Sequence, residues 1–371
     1  MHQITMKTIE VTNRTNHLLK LDFKSPVILS VLMLLILVIS MTASVMIGAV
    51  SISPLTVWKV VFSQLSFIEA YMIADWSLAE QQIIWEIRFP RVILAAVVGA
   101  GLALVGVVIQ ALVRNSLADP FILGVSSGAS VGATLVIIFG AFSAFGQWAL
   151  SIAAFGGALL SVLLVFLLSQ VQGRISTVRL LLAGIAVSMM LSAITSYIVI
   201  SAPREEGIRD AMFWMMGSVA GAKWSQLPIP VVSFLFAYII LILLARPLNL
   251  MLMGESTAAT LGVDSQRLKK WLILITALLT GVLVSVSGAI GFIGLMVPHM
   301  VRLVIGSNHR YVLPLSALTG AVFLIWADLI ARTIVAPQEL PIGIITALCG
   351  GPFFIWLLRK STYSFGGGED H

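Results

Sequence analysis

"IRFPRVILAAVVGAGLALVGVVIQALVRNSLADPFILGVSSGASVGA", residues 87–133, decides the fold. After Arg91 it runs to residue 112 without a charged side chain. A helix crossing the hydrocarbon core of a bilayer needs about 20 such residues. Pro90 suits the start of that helix, where its missing N–H is not needed. Further on, Gly124, Gly128 and Gly132 recur every four residues and share one helix face. Small residues at that spacing let backbones approach where lipid offers no hydrophobic drive. Ser126, Ser130 and Thr134 fall on another face, which could line a polar pathway.

The rest of the chain has the same character. Its 371 residues are 59% hydrophobic and only 10% charged, against roughly a quarter charged in a soluble domain. An all-α polytopic membrane protein follows. Spans are predicted near 27–50, 90–112, 121–140, 146–169, 178–201, 229–247, 269–289, 311–333 and 340–359, with a shorter one near 294–305. That gives about ten transmembrane helices over 27–360, between tails at 1–26 and 361–371. The first apolar run is longer than the 7–15-residue core of a signal peptide and reads as an uncleaved anchor. Cys349, the single cysteine, can form no internal disulfide and says nothing about compartment. An inverted repeat of the second to fifth spans on the seventh to tenth is conceivable, but one sequence does not demonstrate it.

Basic residues in the short loops set orientation. With ten spans, 15 of the 22 Lys and Arg fall on the side of the N-terminal tail and seven on the other. Both termini are therefore expected in the cytoplasm of a bacterial inner-membrane protein. The chain lacks a G-x-x-x-x-G-K-[ST] phosphate loop, an H-E-x-x-H pair and a cysteine–histidine cluster. It reads as a non-enzyme with no cofactor or metal and no nucleic-acid partner. His299, after Pro298, reads as a packing or capping residue. No relay of several embedded carboxylates or histidines appears, which argues against proton-driven transport. Asp328 and Arg332 stand four apart and can pair along one helix face.

Two polar stretches remain. "GESTAATLGVDSQRLKKW", 254–271, separates two apolar runs. "ESTAATLG" predicts a short helix stopped by Gly262, and Asp264 or Ser265 can cap a second one. Ala258 and Ala259 leave room for a partner's groove, and Leu261 and Val263 offer apolar contact. Arg88 and Arg91 bracket a helix start on the outer side, where cations oppose the helix dipole. Helix stability does not explain them, whereas snorkelling to lipid phosphates or docking an acidic protein would.

The 87–133 stretch, followed by "RLLLAGIAVS", "FWMMGSVAGAKW", "RPLNLMLMGESTAATLGV", "GAIGFIGLMVPHMVRL", "SNHRYVLP" and "ELPIGIITALCGGPFFIWLL", resembles the FecCD-type permease subunits of type II ABC importers. That family serves iron–siderophore, haem and cobalamin uptake. The resemblance covers about 88–360 in the right order.

It implies that the loop at about 248–268 forms coupling helices resting on an ATPase subunit, with Gly254, Glu255, Ala258, Ala259, Leu261, Gly262 and Val263 at the contact. It implies that Arg88, Arg91 and Arg332 salt-bridge acidic residues of a binding protein. Thr177 and Val178 match the inner gate, and Asn115 and Leu117 a second constriction nearer the cytoplasm. Val178 and Ser116 depart from the family's usual small polar residue and proline.

The implied assembly holds a second permease copy or close paralogue and two cytoplasmic ATP-binding subunits. A periplasmic or lipid-anchored substrate-binding protein docks above. Ferric siderophore is the first substrate choice, then haem and cobalamin. An ion-coupled secondary transporter and a membrane scaffold are the readings from other classes.

Overall fold

The computed structural model describes residues 25–64 and 75–360. Of the tails expected at 1–26 and 361–371, residues 1–24 and 361–371 lie outside the described residues. The helices are α1 (Pro26–Met46), α2 (Pro54–Ser63), α3 (Leu78–Gln82), α4 (Phe89–Val113), α5 (Val125–Phe139) and α6 (Ala149–Ser169). A two-stranded hairpin, β1 (Gln170–Val171) with β2 (Arg174–Ile175), joins α6 to α7 (Thr177–Ile200). Then come α8 (Glu205–Met215), α9 (Pro228–Leu243), α10 (Ala245–Leu252), α11 (Glu255–Thr260), α12 (Ser265–Ser287), α13 (Ile293–Ile305), α14 (His309–Thr333) and α15 (Ile342–Lys360).

Each of the ten expected spans has its helix. Seven are long and apolar enough to cross a membrane, and Val125–Phe139, Ile293–Ile305 and Ile342–Leu357 are shorter. The boundaries differ where backbone geometry overrides hydropathy. The span expected at 121–140 is a 3-10 turn, Pro120–Leu123, broken from α5 by Gly124 at φ +75°. The first span ends at Met46 rather than near 50. The helix of the second begins earlier, as α3 and a π-helical segment, Ile83–Arg88, run directly into α4.

α4 is the axis of the bundle, packed by α14, α13, α12, α9 and α1. Apart from Arg91 and Gln110 it is apolar all round, and it is almost wholly buried, as expected of a helix with no polar stripe to show water. Its glycines set the packing distance. A Cβ at Gly99 would meet the Gly320 carbonyl of α14, and one at Gly106 the Gly294 carbonyl of α13. The four-residue repeat of α5 works the same way against α6. There Gly128 faces the Gly157 carbonyl and Gly132 that of Ala153, so close packing explains these glycines.

One internal polar joint serves a backbone defect. Pro298 inside α13 has no N–H to give to the carbonyl four residues back. That carbonyl, of Gly294, accepts from Gln110 Nε2 of α4 at 3.2 Å, and Leu295 O accepts from the same nitrogen at 3.1 Å. Gln110 Oε1 in turn accepts from Arg302 of α13. Every polar atom of this buried amide is occupied, as burial requires. Nearby, His299 leaves both ring nitrogens without a hydrogen-bond partner and meets Phe353 edge-on.

Candidate functional site

The functional residues expected from sequence fall at the two ends of the bundle. At one end, α10 and α11 and the start of α12 form the loop between the apolar α9 and α12. Glu255–Thr260 make one and a half turns, as "ESTAATLG" suggested. Gly262 N–H donates to Ala259 O at 3.0 Å, and Val263 N–H to Ala258 O at 2.9 Å. With Gly262 at φ +83°, this is a Schellman ending, whose left-handed residue is cheapest as glycine. Asp264 is the cap of α12, its Oδ1 accepting from Gln266 N–H at 3.1 Å and Arg267 N–H at 3.0 Å. Gly254 opens α11 at φ +118°.

The hairpin is stapled by an ion pair between Lys269 Nζ of α12 and Glu255. The lysine side chain is buried, so the pair fixes the angle of α11 on α12. One expectation needs correcting here. Ala258 does not leave room for a partner, because it is fully buried against its own chain. Met253, Ser256, Ala259, Thr260 and Leu261 form the exposed tip, and Val263 is half-buried.

Asn249, which the sequence did not single out, ties α10 to the body. Its Oδ1 accepts from His309 N–H at 2.9 Å and pairs with His309 Nδ1 at 2.8 Å, while Nδ2 donates to Asn308 Oδ1 at 2.9 Å. The loop thus reaches the first turn of α14 through side chains of helix-capping type.

The residues expected at the gate occupy the same end. Asn115 and Leu117 lie in the turn after α4, where Asn115 Oδ1 accepts from Leu117 N–H at 2.9 Å. Arg114 before them holds φ +55°. Thr177 and Val178 open α7, and Val178 is 66% exposed. The turn reaches α7 through Pro120–Leu123, since the Ile122 carbonyl sits against Gly184. Among the described residues, no hydrogen bond joins the two pairs. Farther along α7, Ser192, Thr195 and Ser196 meet Ser126, Ser127 and Ser130 of α5 around a groove of about 470 Å³. The Oγ1 of Thr195 is buried without a hydrogen-bond partner.

At the opposite end stand the three arginines, and the structure changes how they read. Arg88 and Arg91 are 6% and 7% exposed, so neither snorkels to lipid. Arg88 Nη1 donates to Val45 O at 2.6 Å and Met46 O at 3.2 Å, and Nη2 to Val50 O at 2.7 Å. Arg332 Nη2 donates to Ser44 O and, at 3.0 Å, to Ser44 Oγ. The Ser44, Val45 and Met46 carbonyls are the last of α1, have no partner within their own helix and favour a nearby cation, while Val50 O belongs to the segment that follows it. The dipole argument therefore applies to α1, not to the helix that carries Arg88. The π-helical segment ending at Arg88 brings it there.

Arg91 is the centre of the second cluster. Its Nε lies 3.0 Å from both oxygens of Asp328, and its Nη2 2.9 Å from Oδ1. Nη1 and Nη2 also hold Glu339 at 2.8 and 3.0 Å. The expected Asp328–Arg332 pair is secondary, at 3.8 Å. Asp328 is 1% exposed, whereas the Glu339 side chain is 35% exposed. One guanidinium thus offers one edge to a buried carboxylate and the other to a rim carboxylate that water reaches. Lys59 of α2 donates to Asp75, just before α3, and holds that carboxyl below its usual range.

Comparison with known proteins agrees with this architecture. Residues 35–360 match the FecCD transport family. The chain is 46% identical over 279 residues to the cobalamin import system permease protein BtuC of Halobacterium salinarum, covering 75% of this chain and 74% of that one. It is 41% identical over 331 residues to the hemin transport system permease protein HmuU of Yersinia pestis, covering 88% and 94%. A solved metal-chelate type ABC transporter in an inward-facing conformation superposes with a TM-score of 0.75 at 36% identity, over 91% of this chain and all of that one. With ten apolar helices among the described residues and a polar hairpin between the sixth and seventh, the chain belongs to the FecCD transport family, the permease subunits of type II ABC importers.

Proposed function

We propose that this permease works as a homodimer that carries a large metal chelate inward, driven by two ATPase subunits bound at the α10–α11 hairpin. Ferric siderophore is the first substrate to test. Cobalamin and haem follow, since relatives are named for them. The observation that carries the reading is the hairpin itself. An exposed tip bearing Leu261 is held on a stapled, glycine-ended helix, which is how a chain without a phosphate loop would receive force from one that has it.

The hydroxyl groove supports the dimer. Four of its six hydroxyl residues, Ser126, Ser127, Ser192 and Ser196, reach the surface, which is costly against lipid and suits a shared, wet path lined by α7 of two copies. Thr177, Val178, Asn115 and Leu117 would close that path at the hairpin end, which the charge bias places in the cytoplasm.

Docking of a binding protein at the other end would use Arg91 by exchange. A partner carboxylate would replace Glu339 on the exposed edge while Asp328 keeps the buried one. Arg88 and Arg332 would hold the α1 end in register rather than reach the partner directly. Co-purification of the tagged chain with its ATPase, and its loss in Leu261→Glu, tests the hairpin. Retention of the ATPase by Leu261→Glu would remove the tip from the interface.

A further inference from the structure

A second site lies beside the hairpin and outside the path. Between α6 and α12 runs an apolar groove of about 620 Å³. Leu163 and Phe166 line one wall, and Leu274 and Leu278 the other, with Trp271 at one end beside Lys270 and Arg267. From Arg267 to Leu278 the α12 wall spans twelve residues, eleven rises and about 16 Å at the helical rise. That is about half of the ~30 Å hydrocarbon core, the depth of one leaflet. Its only charges are at one end, and the indole there suits the boundary between headgroups and acyl chains.

The basic end is extended by the α6–α7 hairpin. Ile175 N–H donates to Gln266 Oε1 at 2.8 Å, which brings exposed Arg174 alongside. Arg267 shares its charge with Asp264 at 2.9 Å. Lys270 is exposed and makes no ion pair among the described residues.

We propose that this groove is a binding site for one anionic phospholipid. Its acyl chains lie along Leu163, Phe166, Leu274 and Leu278, and its phosphate meets Lys270 and Arg267. Charge complementarity at one end and leaflet-deep apolar walls together select a lipid over a peptide or a second copy. Because Lys270 follows the buried Lys269 that staples α11, the lipid would sit one residue from the hairpin. Placing it in the cytoplasmic leaflet rests on the orientation proposed above, whereas the selectivity for anionic headgroups does not.

The test uses the permease–ATPase complex in bilayers of phosphatidylcholine and phosphatidylglycerol, with either lipid brominated in its chains. Trp271 fluorescence is taken as the difference between the wild type and Trp271→Phe. One cation near an anionic headgroup is worth roughly five-fold in association. Arg267 is partly neutralised, so phosphatidylglycerol should be preferred about five-fold at Trp271, and Arg267→Gln/Lys270→Gln should abolish the preference. Both side chains are exposed, and Lys270→Gln alone should remove most of the effect if the double variant assembles poorly. Equal quenching by the two lipids, or a preference that survives both variants, would overturn the site. So would a disulfide between copies carrying Leu163→Cys and Leu278→Cys in a Cys349→Ser background, because this face would then be a protein interface. None of these readouts depends on transport, so failure here is distinct from failure of the importer reading.

Discussion

Glu339→Gln separates a brace from a docking point at Arg91. The substitution keeps the side-chain volume and removes one of the two carboxylates on the guanidinium. Asp328 is retained, so the buried charge stays compensated and the helices should stay together. The Glu339 contact is bidentate, at 2.8 and 3.0 Å, but its carboxylate is over a third exposed, so screening limits the pair to about 1 kcal/mol. A binding-protein carboxylate that needs this edge must first displace Glu339. Removing the competitor should therefore tighten the partner by up to about 1 kcal/mol, roughly five-fold in Kd. Permease–ATPase complex in nanodiscs, titrated with binding protein by interferometry at low and high salt, reads this directly. The gain should shrink with salt, since the contact is charged and near the rim. Unchanged or weaker affinity would refute exchange at Arg91 and leave the cluster as a structural brace.

Other perturbations follow from the same geometry. Asp328→Asn leaves Arg91 with only the partly exposed Glu339 carboxylate to balance it and should destabilise the chain by about 1–3 kcal/mol. Arg91→Met with Asp328→Leu should cost less than Asp328→Asn, and thermal unfolding in detergent compares them. Gln110→Leu orphans the Gly294 carbonyl and Arg302, and should cost about 1–3 kcal/mol in the same measurement. Gly262→Val strains a left-handed residue by roughly 1–2 kcal/mol where no neighbour crowds the site. It should weaken ATPase binding, while Gly262→Asn is better tolerated, and pull-down yields rank the two.

What could be read in the sequence was local or periodic. The ten helices follow from runs of apolar residues, and the four-residue glycine repeat pointed to a close helix contact because a helix face is set by spacing alone, though not to α6 as the partner. The α11 ending was legible because Gly262 and Asp264 act within six residues of one another. Ala258 was misread because alternate sides of so short a helix differ in burial, and only the body it packs on decides which side is covered. The arginine clusters were out of reach for another reason. Arg91 and Asp328 are 237 residues apart, and nothing in either neighbourhood specifies the other. The carbonyls that Arg88 caps belong to a helix end that hydropathy placed several residues late. Gln110 and Pro298 could each be noticed alone, but their complementarity exists only once α4 and α13 are side by side.

Uptake into proteoliposomes tests the importer reading most directly. The chain is reconstituted with its ATPase, ATP is enclosed in the lumen, and binding protein loaded with labelled chelate is added outside. Accumulation should require the chain, the ATPase, enclosed ATP and the binding protein together, and should stop when the Leu261 tip is disrupted. Accumulation driven by an ion gradient without ATP, or ATP hydrolysis by the chain purified free of the ATPase, would contradict it.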